Sequence, residues 1–232
     1  MHINNLFIET TRRCQLECEH CLRGDTEYKD LDVTYLDELL EDVDRISSVT
    51  FTGGEPFLNP RIIQHFIEIV KKNDIEVGYF YIATNGIVFE KNTSEYVRKC
   101  LFILIELYLL MSAKENCSIQ ISTDHFHKTE ITDDNMLYAL SFTSHKGEIE
   151  EKYLLPEGRG AYWNTTRRPP ATTWNYEYPE ELMIYLNVNG RVCWNCDLSY
   201  ETQDDISVSI QTARIVIKKC NKLYVKSILK CK

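Results

Sequence analysis

Residues 14–21 read CQLECEHC, which places Cys14, Cys18 and Cys21 on one short loop with His20 among them. Thiolates this close converge on a single metal centre, and the choices are zinc or an iron–sulfur cluster. Structural zinc takes four protein ligands, usually as two separated pairs, whereas no fourth cysteine follows this triad for many residues. Three ligands to a four-iron cube leave one iron without a protein ligand, and chemistry at a cluster needs such an open position. A second feature stands behind a strand-like run in VTFTGGEPFLNP, where Gly53 and Gly54 precede Glu55 and Pro56. A glycine pair lets backbone approach a ligand with no Cβ in the way, and a carboxylate accepts hydrogen bonds from a positive amine.

The elements that must carry these residues alternate regularly. Asn5–Thr10 reads as a strand leading into the cysteine loop, and Thr34–Ser47 as an amphipathic helix with Thr34 and Asp37 as a capping pair. Val49–Thr52 is strand-like and runs into GGEP. Asn59 and Pro60 then stand as N-cap and first residue of a helix reaching about Lys72. Val77–Ala83 repeats the plan, broken by Thr84-Asn85-Gly86 and followed by an apolar helix from Thr93 or Ser94 through Cys100. Ser118–Thr123 is a fourth strand, Asp124–Glu130 a polar loop, Thr132–His145 a fourth helix, and Lys152–Leu155 and Met183–Val188 are further strands. Residues 157–180 form a long aromatic loop, and the tail from Asp205 matches strand and helix alike. Strands alternating with helices indicate βαβ units and a parallel sheet with right-handed crossovers.

Bulk properties bound the rest. A chain of 232 residues fits one large α/β domain. A formal net charge of -9 gives no footprint for general nucleic-acid binding, although a nucleotide-sized substrate remains compatible. The start MHINNLFIETT lacks a secretory pattern, and the longest apolar run, Cys100–Met111, is broken by Glu106 and falls short of the ~20 residues of a membrane span. The expectation is a cytoplasmic protein whose nine cysteines serve as metal ligands, catalytic thiols or core residues rather than disulfides.

Taken with GGEP one strand later, CQLECEHC resembles the signature of the radical S-adenosylmethionine (radical SAM) superfamily. The resemblance implies an α/β fold of the partial (βα)6 TIM-like barrel type, with a core over residues 1–190 and a short C-terminal extension over 191–232. It implies that Cys14, Cys18 and Cys21 hold a [4Fe-4S] cluster whose free iron is chelated by S-adenosylmethionine, and that Gly53, Gly54 and Glu55 face the methionine ammonium group. His20 would lie near the adenine, with Ser122 and Asp124 near the ribose. Asn85 would close the third strand at the same rim, and Arg159 in LLPEGRG would contact the cofactor carboxylate or the substrate. The implied reaction is reductive cleavage of S-adenosylmethionine to a 5′-deoxyadenosyl radical that abstracts hydrogen, with a reductant such as flavodoxin or ferredoxin as partner and the 157–180 loop as lid.

His125 and His127 are candidates for proton transfer beside that loop, with a bystander role as the alternative. Cys193 and Cys196 form a C-x2-C pair after Gly190. They resemble in part the opening of the cysteine-rich SPASM or twitch extension carried by peptide-modifying members, which implies a second cluster; a catalytic thiol pair or plain packing are the alternatives. A peptide or protein is therefore the favoured substrate, and a nucleotide or small molecule the alternative. A different class, a non-catalytic zinc scaffold or iron–sulfur carrier, stands against all of these; it has no need of GGEP.

Overall fold

A computed structural model describes residues 1–90, 94–127, 136–147, 150, 154–162 and 182–230. The first three units follow the alternation of the sequence: β1 (His2–Thr11), α1 (Val33–Leu40), β2 (Arg45–Gly53), α2 (Arg61–Lys72), β3 (Glu76–Thr84) and α3 (Glu95–Leu110). Next come β4 (Ser118–Ser122), β5 (Thr143–Lys146), β6 (Met183–Leu186), β7 (Arg191–Cys193), α4 (Tyr200–Ile206), β8 (Val208–Ser209) and α5 (Ile210–Lys230). The eight strands among the described residues join one sheet in the order β5-β4-β3-β2-β1-β6-β7-β8. The pairings from β5 to β6 are parallel, and only β7 and β8 are antiparallel. This is the α/β fold of a partial TIM-like barrel, with β6 added beside β1 and the β7 hairpin continuing past it.

Period-two alternation decides which face does what. Leu186, Ile8, Phe51, Ile82 and Ile119 stand side by side across the sheet and are fully buried in the main core. Ile62, Ile63, Phe66 and Ile67 of α2, and Val97, Cys100, Leu104 and Leu107 of α3, are buried in the same core. The neighbouring row, Tyr185, Phe7, Thr50, Tyr81 and Ser118, lies on the opposite face. That face is mixed and polar, and its hydrogen bonds include Tyr81 Oη donating to Gln120 Oε1 at 2.6 Å. One face therefore packs against the helices, and on the other Thr52, Ala83 and Ser122, at the strand ends, line a cavity.

Several local expectations are corrected. α1 ends at Leu40, because Asp42 turns the chain with φ 62 and Ile46 belongs to β2; its N-cap is Asp32, whose side chain accepts from Thr34 N at 2.9 Å. Asn59 does not cap α2. Its Nδ2 donates to Thr10 O at 2.9 Å and ties the start of α2 to the end of β1. Of the helix expected over 132–145, Met136–Ala139 is a 3-10 turn and the fifth strand is Thr143–Lys146, not Lys152–Leu155, of which the described Leu154 and Leu155 are not strand. The tail takes both readings in turn, with the short β8 running into α5. Most of the expected lid, residues 163–180, lies outside the described residues. No helix among the described residues is long and apolar enough to cross a membrane.

Candidate functional site

The loop from β1 to α1 is closed at its base by main-chain bonds: Arg12 N to Lys29 O at 2.9 Å, Glu27 N to Arg12 O at 3.2 Å and Leu31 N to Thr10 O at 3.1 Å. The turn after β2 packs onto the same backbone, with Gly54 N donating to Thr11 O and Glu55 N to Arg13 O, both at 2.8 Å. A Cβ on Gly53, which has φ 124, would stand 2.2 Å from Thr11 O, and one on Gly54 2.2 Å from Arg13 O. The glycine pair thus admits the carbonyls of the cysteine loop itself. A third segment docks the same way: Arg159 N donates to Cys21 O at 2.9 Å, and a Cβ on Gly158 would meet Leu22 O at 2.4 Å.

Glu55 lies at the centre of this assembly and is buried. Its Oε1 accepts from Thr84 Oγ1 at 2.7 Å and Phe57 N at 3.2 Å, and its Oε2 from Asn85 N at 2.8 Å. Burial nevertheless raises its pKa to about 7, against those three hydrogen bonds. Glu55 therefore joins the ends of β2 and β3. Asn85, so held, directs Nδ2 at Cys14 Sγ, 3.7 Å away, and Leu16 N approaches the same sulfur at 3.4 Å. Burial raises the Cys14 thiol and pushes Cys18 to about 12. A bound metal centre reverses such a shift, since a coordinating thiol is deprotonated outright.

Cys14, Cys18, His20, Cys21, Gly53, Gly54, Glu55, Asn85, Ser122, Asp124 and Arg159 all line one cavity of about 420 Å³. His127 lines it too, whereas His125 is exposed and outside it. Asp124 is buried, and its Oδ1 accepts from Phe126 N at 3.1 Å and pairs with His127 Nδ1 at 2.7 Å. Among the described residues, the group of His, Cys, Asp or Glu ligand atoms lying within 4.8 Å of one another is His20, Asp124 and His127. The three cysteine sulfurs are spread wider.

The second cysteine pair is placed otherwise. Cys193 is buried with Tyr185 and Leu198, and its Sγ donates to Gln203 O at 3.7 Å. Cys196 packs on that cluster and approaches Asp197 Oδ1 at 3.5 Å. Burial pushes both thiols to about 12, and neither lines the cavity, although Asp197 and Tyr200 just beyond them do. Cys220 is buried in the main core.

Sequence reasoning missed the charged residues under the rim. Arg12 is fully buried; it makes a two-pronged contact to Asp204 at 2.6 and 2.9 Å, reaches Glu27 at 3.0 Å and Glu9 at 3.4 Å, and lies over the Tyr200 ring at 4.4 Å. Arg23, buried beside it, donates to Leu198 O at 2.6 Å and faces the Tyr185 ring. Buried charges must be paired, so acidic Glu9 inside an apolar strand beside Arg12 was the available signal.

The family model described as the Radical SAM superfamily matches residues 8–126, about half of the chain. A putative protein of Bacillus subtilis, YfkA, is 34% identical over 82 residues, covering 34% of this chain and 22% of that protein. The GTP 3′,8-cyclase of Desulforamulus reducens is 30% identical over 101 residues, covering 40% of this chain and 30% of the cyclase. The solved structure of Streptococcus suis SuiB bound to the precursor peptide SuiA aligns with 14% identity and a TM-score of 0.34, over 65% of this chain and 40% of SuiB. The chain spans between 22% and 35% of the length of the curated relatives it matches.

Proposed function

Because the chain belongs to the radical SAM superfamily, we propose that it is an enzyme that holds a [4Fe-4S] cluster on Cys14, Cys18 and Cys21 and cleaves S-adenosylmethionine in the cavity they line, so as to take hydrogen from a substrate. Bound there, the cluster would supply the electron that breaks the sulfonium C–S bond. The observation that carries this reading is that the three thiols of the C-x3-C-x2-C triad and the ends of β2, β3 and β4 share one cavity.

The chain's own residues position and shield. Asn85 Nδ2 and Leu16 N direct partial positive charge at the Cys14 sulfur, which favours its thiolate. Gly53, Gly54 and Glu55 form the wall for the methionine ammonium group. Glu55 contributes mainly as a brace, with one lone-pair direction left of about four on a carboxylate. His20, Ser122 and Asp124 form the opposite wall, for the adenosyl part. Arg159 is 22% exposed, pairs with Asp25 at 3.4 Å, and its Nε has no hydrogen-bond partner among the described residues, which suits a carboxylate. His127 pairs through Nδ1 with Asp124 Oδ1 at 2.7 Å and lines the cavity, which makes it the better placed of the two histidines for proton transfer.

Residues 191–232 act as an extension of the 1–190 core. They carry Asp197 and Tyr200 to the cavity edge, where the substrate enters. A peptide or protein is the substrate class we favour, on the resemblance of this cysteine-bearing segment to the extensions of peptide modifiers. A nucleotide is the second reading, supported by the likeness to a protein named GTP 3′,8-cyclase. A flavodoxin or ferredoxin serves as reductant. Cys193 and Cys196 pack as thiols in this reading and hold no second cluster.

Anaerobic reconstitution tests the proposal. The expected result is a brown protein with about four irons per chain that yields 5′-deoxyadenosine from S-adenosylmethionine and dithionite. A colourless protein with one zinc on the Cys14 loop overturns it.

A further inference from the structure

We propose that His20, Asp124 and His127 form a second metal site, for a single divalent transition ion such as zinc or cobalt, separate from the cysteine triad. Two imidazoles and a carboxylate are the donor set that suits borderline first-row ions. Their ligand atoms lie within 4.8 Å of one another, in contrast to the cysteine sulfurs.

The site is built from two loops that its neighbours hold in place. Asp124 is 5% exposed, and Phe126 N fixes its Oδ1 at 3.1 Å. The His20 ring packs on Phe126 with centroids 4.3 Å apart, and edge-on to His127 at 5.2 Å. Donors on one tetrahedral ion with bonds of ~2.1 Å sit ~3.4 Å apart; Asp124 Oδ1 and His127 Nδ1, at 2.7 Å, are already inside that spacing, and all three ligand atoms lie within 4.8 Å of one another. Small rotations of the two rings would bring the set to it. His127 then exchanges its hydrogen bond with Asp124 for a shared ion. Three protein ligands leave at least one position for water or an outside donor.

All three residues line the cavity beside the cysteine loop. On the function proposed above, His20 and Asp124 form the adenosyl wall. An ion that ties them together therefore excludes S-adenosylmethionine, and the metal-bound form is a resting state.

The site is tested apart from the cluster in the Cys14→Ser/Cys18→Ser/Cys21→Ser variant, titrated with Co²⁺ and followed by visible absorption. The expected result is about one equivalent bound, the three-ligand case, with ligand-field bands of a nitrogen and oxygen set and no thiolate charge transfer. Adding His127→Gln or His20→Phe to that background should abolish the bands while circular dichroism stays unchanged. Absence of Co²⁺ binding overturns the site, as does binding that survives both histidine variants or shows thiolate charge transfer. None of these results bears on the cluster. In cluster-loaded wild type, Zn²⁺ should raise the S-adenosylmethionine concentration needed for half-saturation, and His127→Gln should remove that effect. Zinc bound with no change in that concentration overturns the resting-state role.

Discussion

Cys14, Cys18 and Cys21 line an open cavity on a loop held by the main chain, whereas Cys193 and Cys196 end a hairpin and pack around Tyr185 and Leu198. Burial raises Cys14 and Cys18, and likewise Cys193 and Cys196, so ease of ionisation does not separate the pairs. Surroundings do. The first group has backbone and amide N–H groups aimed at a sulfur, and the second has a backbone carbonyl and a carboxylate. Donors stabilise a thiolate and acceptors stabilise a thiol. Close cysteine spacing alone is therefore not enough to mark a metal centre.

The largest effect that would sharpen this contrast is expected from Cys18→Ser, which should reduce bound iron and 5′-deoxyadenosine formation to background. Cys193→Ala measured beside it should leave about four irons per chain, and an iron loss there would erase the distinction. Next comes Arg12→Met, which leaves Glu9 and Asp204 without their buried cation and should cost about 3–5 kcal/mol in urea unfolding. If Arg12→Met unfolds like wild type, the two regions are not coupled through this network. A third, smaller effect concerns pH. Burial raises Glu55 from 4.5 to about 7, so the unfolded chain releases this proton first, and stability falls as pH rises between those values. Glu55→Gln should flatten that fall by up to about 3 kcal/mol in the apo-protein, read as unfolding midpoints at pH 4.5 and 7.5. Smallest is the stability loss of Cys193→Ala itself, about 1–2 kcal/mol for a small buried side chain, measured by thermal unfolding with iron content unchanged.

Local pattern carried much of this architecture. β1 to β4 and α1 to α3 were legible because apolar residues recur at the period of the element that buries them, and GGEP and TNG mark strand ends. β5 was read as helix because Leu137 and Leu140 keep helical spacing into a polar edge strand, Thr143–Lys146, that has no alternation of its own. The place of β6 beside β1 is a long-range pairing, which no local pattern encodes. Arg12 and Asp204 are likewise 192 positions apart, so their contact exists only once α4 has packed over the rim. In the site, residue types and their gathering on one rim were legible. The use of Glu55 as a strut between strand ends was not, since a carboxylate beside glycines reads equally as a ligand for an amine.

Two distant segments, the turn after β2 and Gly158–Arg159, grip the cysteine loop through its carbonyl groups. Such a grip is indifferent to what projects outward between the thiols, and Glu17 and Glu19 are exposed there. Substitutions at those two positions can accumulate without disturbing the scaffold, while a single methyl added at Gly53, Gly54 or Gly158 dislodges it. Evolvability and fragility are thus allotted to opposite sides of one contact.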